Sequence, residues 1–206
     1  MSIAAVEPRW TDADYLAFER ASDVRHEYVD GIVYDMSGGS VAHALLIAQL
    51  TAEVGLQLRG KPCRPYSADL RVHNAETGAY TYPDLTIVCG EVQLLDEQRD
   101  TLLNPTVVVE VLSPSTEAYD RSRKFAHYRR IPSLRDYVLV SQEAPIIEVF
   151  SRREGDAWLY TPYEGLDASA EVSSIGCDVP LAEVYAGVSF EPPAAPEQAA
   201  KEPVAG

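Results

Sequence analysis

The chain has 206 residues and a formal net charge of −15, set by 32 Asp and Glu against 17 Lys and Arg. That length suits one ordinary domain with a sizeable core, and the acidity argues against broad nonspecific affinity for nucleic acid. No apolar run approaches the roughly 20 residues needed to cross a bilayer, and no basic region followed by an apolar stretch marks a secretory signal. A cytoplasmic location without membrane attachment is the expectation.

Residues 1–9 are expected to form a flexible arm, residues 10–190 one domain, and residues 191–206, rich in Pro, Ala and Glu without periodicity, a disordered tail. Trp10 to Tyr15 opens a helix that runs to about Glu19 or Arg20. Thr11 caps it, Asp14 stands three residues on, and Trp10 is placed to pack on Tyr15. Between His26 and Met36, Asp30-Gly31 separates two β-rich runs and signals a hairpin. Beyond the break at Ser37 to Ser40, a helix is expected from about Val41 to Arg59, striped by Leu45, Leu46, Leu50, Val54 and Leu58.

Arg64 to His73 and Tyr80 to Cys89 read as two extended segments joined by a turn at 74–78. Residues 91–103 form an ambiguous polar connection. Pro105 to Ser113 is a strand, and Pro114 suits a helix entry. That helix covers roughly Ser115 to Arg130 and stops at Ile131-Pro132. Residues 136–141 and 146–150 read as strands, 158–160 as a returning strand, and 179–185 as a last short strand and helix. The order is mixed α/β (α+β), without the strict alternation of a doubly wound fold. Cys63, Cys89 and Cys177 are odd in number and lack metal-ligand spacing, so buried free thiols are expected.

Two of the apolar runs carry a carboxylate. They are Tyr82-Pro83-Asp84-Leu85-Thr86-Ile87-Val88 and Val107-Val108-Val109-Glu110-Val111-Leu112. Such runs read as interior strands, where a charge is costly unless it is paired or binds metal. A divalent cation shared by Asp84 and Glu110 is the sharpest reason for both. Magnesium or manganese on carboxylate and carbonyl oxygens would bind a phosphate and activate water, and Lys124 on the following helix would stabilise charge on the phosphate. Quieter readings stand beside this one. Asp84 closes a turn after Pro83, Glu110 pairs with an Arg, Lys124 is solvated, and Glu27 pairs with His26 at the surface. His43 faces the site or, more commonly for a lone His, is a cap or packing residue, and Asp69 and Asp120 either accept hydrogen bonds behind the metal ligands or, as the safer expectation, are exposed. Six of the 17 Lys and Arg fall between Arg121 and Arg135; Arg121, Arg123, Arg129 and Arg130 are the candidate phosphate contacts, or else a solvated face that offsets acidic neighbours.

Arg25-His26-Glu27-Tyr28-Val29-Asp30-Gly31, Tyr82-Pro83-Asp84-Leu85 and Val109 to Thr116, continued by Asp120, Lys124, Tyr128 and Asp136-Tyr137, resemble the Uma-two family. This is a branch of the PD-(D/E)xK restriction-endonuclease-like superfamily. The resemblance spans roughly residues 10 to 190. It implies a central mixed sheet flanked by helices, with additional C-terminal strands. It also implies Asp84, Glu110, Glu27 and the Val111 carbonyl as ligands of Mg2+ or Mn2+, DNA as substrate, and a homodimer. In the commoner superfamily pattern a lysine stands two residues after the glutamate. Leu112 occupies that place here, and Lys124 resembles a migrated replacement.

A metal-dependent DNA endonuclease is therefore the first reading. The second is a catalytically inactive binding or regulatory module, favoured by Leu112 and the acidity. A metal-dependent hydrolase of a small molecule is the third; no GxGxxG, P-loop or GxSxG element points to nucleotide or serine-hydrolase chemistry. Ile146, Phe150 and Trp158, on the strands after Asp136, are candidates for the dimer contact, or equally for an extension of the core sheet.

Overall fold

A computed structural model describes residues 9–36 and 38–190, so the expectations for residues 1–8 and the 191–206 tail lie outside the described residues. Helix α1 (Asp12–Ala21) begins with the capping box foreseen from Thr11 and Asp14. The aromatic packing at its start differs from expectation. The Trp10 ring meets Phe18 at 5.1 Å between centroids, and Tyr15 stacks on Tyr28 at 5.1 Å. Tyr15 is committed to the sheet because its hydroxyl donates to the His26 carbonyl at 2.7 Å.

Strands β1 (His26–Val29) and β2 (Ile32–Asp35) form the hairpin around Asp30 and Gly31. Both turn residues have positive φ, 54° and 83°, which is the backbone a right-twisted two-residue connection requires and which Asp-Gly tolerates. Helix α2 (Val41–Gln57) is capped by Ser40 and buries Leu46, Leu50 and Val54.

The two extended segments expected over 64–73 and 80–89 are each broken in two. The four pieces are β3 (Cys63–Ser67), β4 (Arg71–Asn74), β5 (Ala79–Thr81) and β6 (Leu85–Cys89). One break is a turn in which Leu70 N–H donates to the Ser67 carbonyl. The other falls at Pro83, which has no N–H to give to a ladder. The halves belong to different sheets. A five-stranded sheet runs β2-β1-β5-β4-β7, with β7 at Thr101–Leu102. A six-stranded sheet runs β11-β10-β9-β8-β6-β3. Its other members are β8 (Val107–Val111), β9 (Asp136–Val140), β10 (Ile146–Arg152) and β11 (Trp158–Glu164). The pair β8–β9 is parallel and the remaining neighbours in this sheet are antiparallel. Strands β12 (Ser169–Val172) and β13 (Cys177–Pro180) form a small hairpin ahead of α5 (Leu181–Val184).

The six-stranded sheet is covered on both faces, which is why β8 reads as an apolar run broken only by Glu110. On one face, Val107, Val109 and Val111 pack with Leu46, Leu50 and Val54 of α2 and with residues of β12, β13 and α5. On the other, Val108 and Leu112 pack with Tyr128, Ile131, Leu134, Tyr137 and Leu139. Side chains alternate along a strand, so Glu110 points to this second face.

That second face is covered by a helical segment shorter than the expected 115–130. It comprises α3 (Glu117–Tyr119), a π-helical turn (Asp120–Lys124) and α4 (Phe125–Tyr128). Phe150 and Trp158, candidates for a dimer contact or for an extension of the core sheet, lie on β10 and β11 of that sheet, with their rings 4.9 and 5.3 Å from the Phe125 ring. Cys63 and Cys89 are not free thiols. Antiparallel pairing of β3 with β6 sets them directly opposite, and they form a disulfide, leaving Cys177 free and buried. Among the described residues no helix is long and apolar enough to cross a membrane.

Candidate active site

Asp84 sits at the crossing between the two sheets, immediately before β6. The register that pairs Leu85 with Val109, carried one residue further, sets Asp84 opposite Glu110, and directly opposite residues share a face. Oδ2 of Asp84 accepts from the Val111 N–H at 2.7 Å and lies 3.3 Å from Nε2 of His43. His43 occupies the first turn of α2. Its N–H donates to the Ser40 hydroxyl at 3.0 Å. Its ring lies so close to Gly39 that a Cβ there would stand 2.7 Å from Nδ1. The hydrogen bond to Asp84 raises the His43 pKa; burial opposes this, and the charge of Asp84 and the Val111 carbonyl assist it.

Glu27 comes from the other sheet. The hairpin turn fixes its register opposite Tyr34, and its Oε1 accepts from the backbone N–H of Tyr82 at 3.0 Å. Lys124 joins the two sheets. Its Nζ is 3.0 Å from Glu27 Oε1, 2.9 Å from Glu110 Oε1 and 3.7 Å from Asp120. The π-helical turn presents Asp120 and Lys124 together; such turns recur at functional sites. Tyr128, four residues beyond Lys124, donates its hydroxyl to Glu110 Oε1 at 3.0 Å.

One ammonium therefore faces three carboxyl groups. Burial works against the Lys124 charge, but Glu110, Glu27 and Asp120 outweigh it and hold the lysine well above its usual pKa. Burial pushes Glu110 well above the carboxylate range against the pull of Lys124, and Asp120, Asp84 and Glu27 add to the rise. Asp120 is raised too, chiefly by burial. It is 3 % exposed, which corrects the expectation of a solvated side chain. Its spacing four residues before Lys124 was the available signal. Asp69 is exposed as expected and pairs with Arg25.

These groups line one cavity of about 470 Å³ that includes Glu27, His43, Asp84, Glu110, Asp120 and Lys124. In Glu27, Asp84 and Glu110 the polar contacts run through a single oxygen, so the second oxygen of each has no hydrogen bond from a described residue. Among the described residues no three acidic, His or Cys side chains converge as a ready-made ion cage, because Lys124 stands between Glu27 and Glu110. The donor set fits magnesium or manganese nonetheless. Mg2+ typically takes only one or two carboxylates and keeps several waters, and Asp84, Glu110 and the Val111 carbonyl are hard oxygen donors of that kind.

The predicted phosphate contacts are scattered. Arg123 lines the cavity and pairs with Asp30 at 3.0 Å. Arg121 pairs with Glu117 and Glu148, and Arg130 with Glu76. Arg129 is exposed, and its carbonyl accepts from Arg152. Beneath the site lies a network that was not anticipated. Glu19 accepts from the Tyr82 hydroxyl at 2.8 Å and from His26 N–H at 3.0 Å, and Arg71 Nη1 donates to the same hydroxyl at 3.0 Å. It braces the residues preceding Glu27 and Asp84.

The mixed sheets and their helices form an α+β fold that a solved structure shares. The structure superimposes on the crystal structure of a protein from Anabaena variabilis, described as a putative nuclease belonging to DUF820, with a TM-score of 0.70 over 85 % of this chain and 97 % of that one, at 14 % sequence identity. The chain belongs to the Uma2 family, described as "Putative restriction endonuclease", whose sequence model matches residues 12–181. Two proteins of Synechocystis, both described as uncharacterized, are similar along most of their length. One, slr1290, is 36 % identical over 92 % of this chain and 98 % of its own. The other, sll1609, is 30 % identical over 84 % of this chain and 98 % of its own.

Proposed function

We propose that this protein is a metal-dependent endonuclease that hydrolyses phosphodiester bonds in DNA. One observation carries the reading. Lys124 bridges Glu27 and Glu110 on the floor of the cavity that holds Asp84, and each of these carboxylates engages the protein through one oxygen only. Asp84, Glu110 and the Val111 carbonyl would hold Mg2+ or Mn2+, with Glu27 as a further acidic ligand. When bound, such an ion polarises a phosphoryl oxygen and acidifies a water.

The chain's own residues supply the rest. His43 and the Val111 N–H fix the Asp84 carboxylate. Glu27, Glu110 and Asp120 keep Lys124 charged, so its ammonium can stabilise negative charge gathering on the phosphate. Arg123, at the cavity, would exchange Asp30 for a neighbouring phosphate, Arg121 and Arg130 would likewise leave their carboxylates, and Arg129 is exposed. The reaction consumes one water. Its oxygen bonds to phosphorus, the P–O bond to the leaving sugar breaks with the electron pair on the leaving oxygen, and a proton ends there. The homodimer implied by the resemblance is part of the same proposal.

The test is cleavage of plasmid and oligonucleotide DNA with Mg2+, with Mn2+ and with a chelator. Metal-dependent cutting that disappears in folded Asp84→Ala and Glu110→Ala supports the reading. Wild-type protein that cuts neither DNA nor RNA with either metal overturns it. The result would then favour a noncatalytic binding or regulatory module, a reading that the saturation of Lys124 by Glu27 and Glu110 also accommodates.

A further inference from the structure

The hairpin that delivers Glu27 also carries an exposed apolar row. Tyr34 is directly opposite Glu27, so both side chains stand on one face of the sheet. Ile32, two residues earlier, shares that face, and Met36 continues the row. Ile32, Tyr34 and Met36 are 51, 43 and 37 % exposed. They lie on or just beyond β2, the edge strand of the five-stranded sheet, and Tyr34 and Met36 line the cavity. Exposed apolar side chains on an edge strand are a liability unless something covers them. Tyr119, also on the cavity wall, has a buried hydroxyl with no hydrogen-bond partner. Such orphans are rare in folded proteins and point to a missing ligand or water.

The charges speak to the kind of ligand. Duplex DNA is held by cations that neutralise successive phosphates. The lysine and arginine at the cavity are Lys124 and Arg123, and each is already paired, with Glu27 and Glu110 or with Asp30. Arg121 and Arg130 nearby are paired as well. These four residues therefore offer no track of unpaired cations leading from the cavity. The reacting centre is also recessed: the side chains of Glu110 and Lys124 are 5 and 7 % exposed. A duplex is stiff, whereas a flexible single strand can bend one phosphate into such a recess. Single strands can also gain affinity from bases stacked on aromatic rings, a contribution that phosphate neutralisation does not supply.

Resting on the endonuclease reading above, we infer that the substrate is single-stranded DNA, with a base stacked on Tyr34 and the adjoining backbone entering the cavity over Glu27, Asp84 and Glu110. The experiment compares kcat/KM with Mn2+ on a single-stranded oligonucleotide and on its duplex, for wild type and Tyr34→Ala. The single strand is expected to be favoured by about tenfold or more, and Tyr34→Ala to lose about tenfold on it, the loss falling on KM with Tm unchanged. Equal or faster cleavage of the duplex overturns the inference and leaves the endonuclease reading standing. A Tyr34→Ala protein with wild-type KM but an altered oligomeric state assigns the row to a second copy of the chain and also overturns it. Cleavage of neither form by the wild type removes the endonuclease reading, and this inference with it.

Discussion

Val111 donates its backbone N–H to Oδ2 of Asp84 at 2.7 Å, tying the residue just before β6 to the end of β8. The same oxygen meets the imidazole of His43, whose ring lies against the bare Cα of Gly39. Gly39→Ala must displace that ring and so act on Asp84 at a distance. Partners that orient a metal-binding carboxylate contribute roughly 10- to 100-fold to affinity. Gly39→Ala and His43→Ala are each expected to weaken Mn2+ binding by about tenfold, and the double variant by no more than either alone. Isothermal titration with Mn2+ measures this directly; additive losses would show that Gly39 does not act through His43.

Lys124 is the counter-charge for two buried carboxylates. Removing one partner of a buried ion pair costs about 3–5 kcal/mol, whereas removing both charges together is often nearly neutral. Lys124→Met is expected to lose stability of that order in urea unfolding, and Lys124→Met/Glu110→Gln to recover much of it. No loss in the single variant would mean that water reaches the pair.

Tyr82 is the keystone between Glu19 and Arg71. Its hydroxyl donates to Glu19 and accepts from Arg71, which is 2 % exposed. Tyr82→Phe leaves both groups short of a partner, at a cost of about 1–3 kcal/mol. The network braces His26 and Tyr82, the neighbours of Glu27 and Pro83-Asp84. The variant should therefore also lose cleavage activity, beyond what its unfolded fraction accounts for at the assay temperature. Unfolding curves and kcat measured on the same preparation separate the two effects.

His73 is buried against Tyr80, ring centroids 4.0 Å apart. Burial lowers its pKa, with the charge of Arg71 adding to the effect and the Ala79 carbonyl and Asp12 opposing it. The unfolded chain therefore takes up this proton first. The stability that depends on neutral His73 is fully present above about pH 6.5, the ordinary value, and declines as pH falls from there towards the folded-state pKa. Between pH 7.5 and pH 5 the wild type should lose more stability than His73→Phe, read as the difference in urea midpoints. Parallel pH profiles would show that His73 titrates alike in both states.

Much of the architecture was legible because local signals were strong. Asp30-Gly31 suits positive φ and announced its hairpin, Thr11 and Asp14 announced a cap, and the leucine stripe of α2 announced its buried face. Two charges in apolar strands pointed to Asp84 and Glu110, and their shared face follows from strand alternation once the register is known. The breaks inside 64–73 and 80–89 were harder to place. Both halves of each segment are extended, and only their pairing partners differ.

Residue types, their order and their local periodicity specified an acid after a strand-breaking proline, an acid inside a two-sided strand, and a lysine on the helix beyond. Tertiary pairing decided who meets whom. It joined Cys63 to Cys89, set Lys124 between Glu27 and Glu110, and tied Arg121 to Glu148 and Arg130 to Glu76. These are contacts between segments distant along the chain, and a single-residue change in strand register would turn each side chain to the opposite face. For that reason local sequence carries the chemistry of this site but not its assembly.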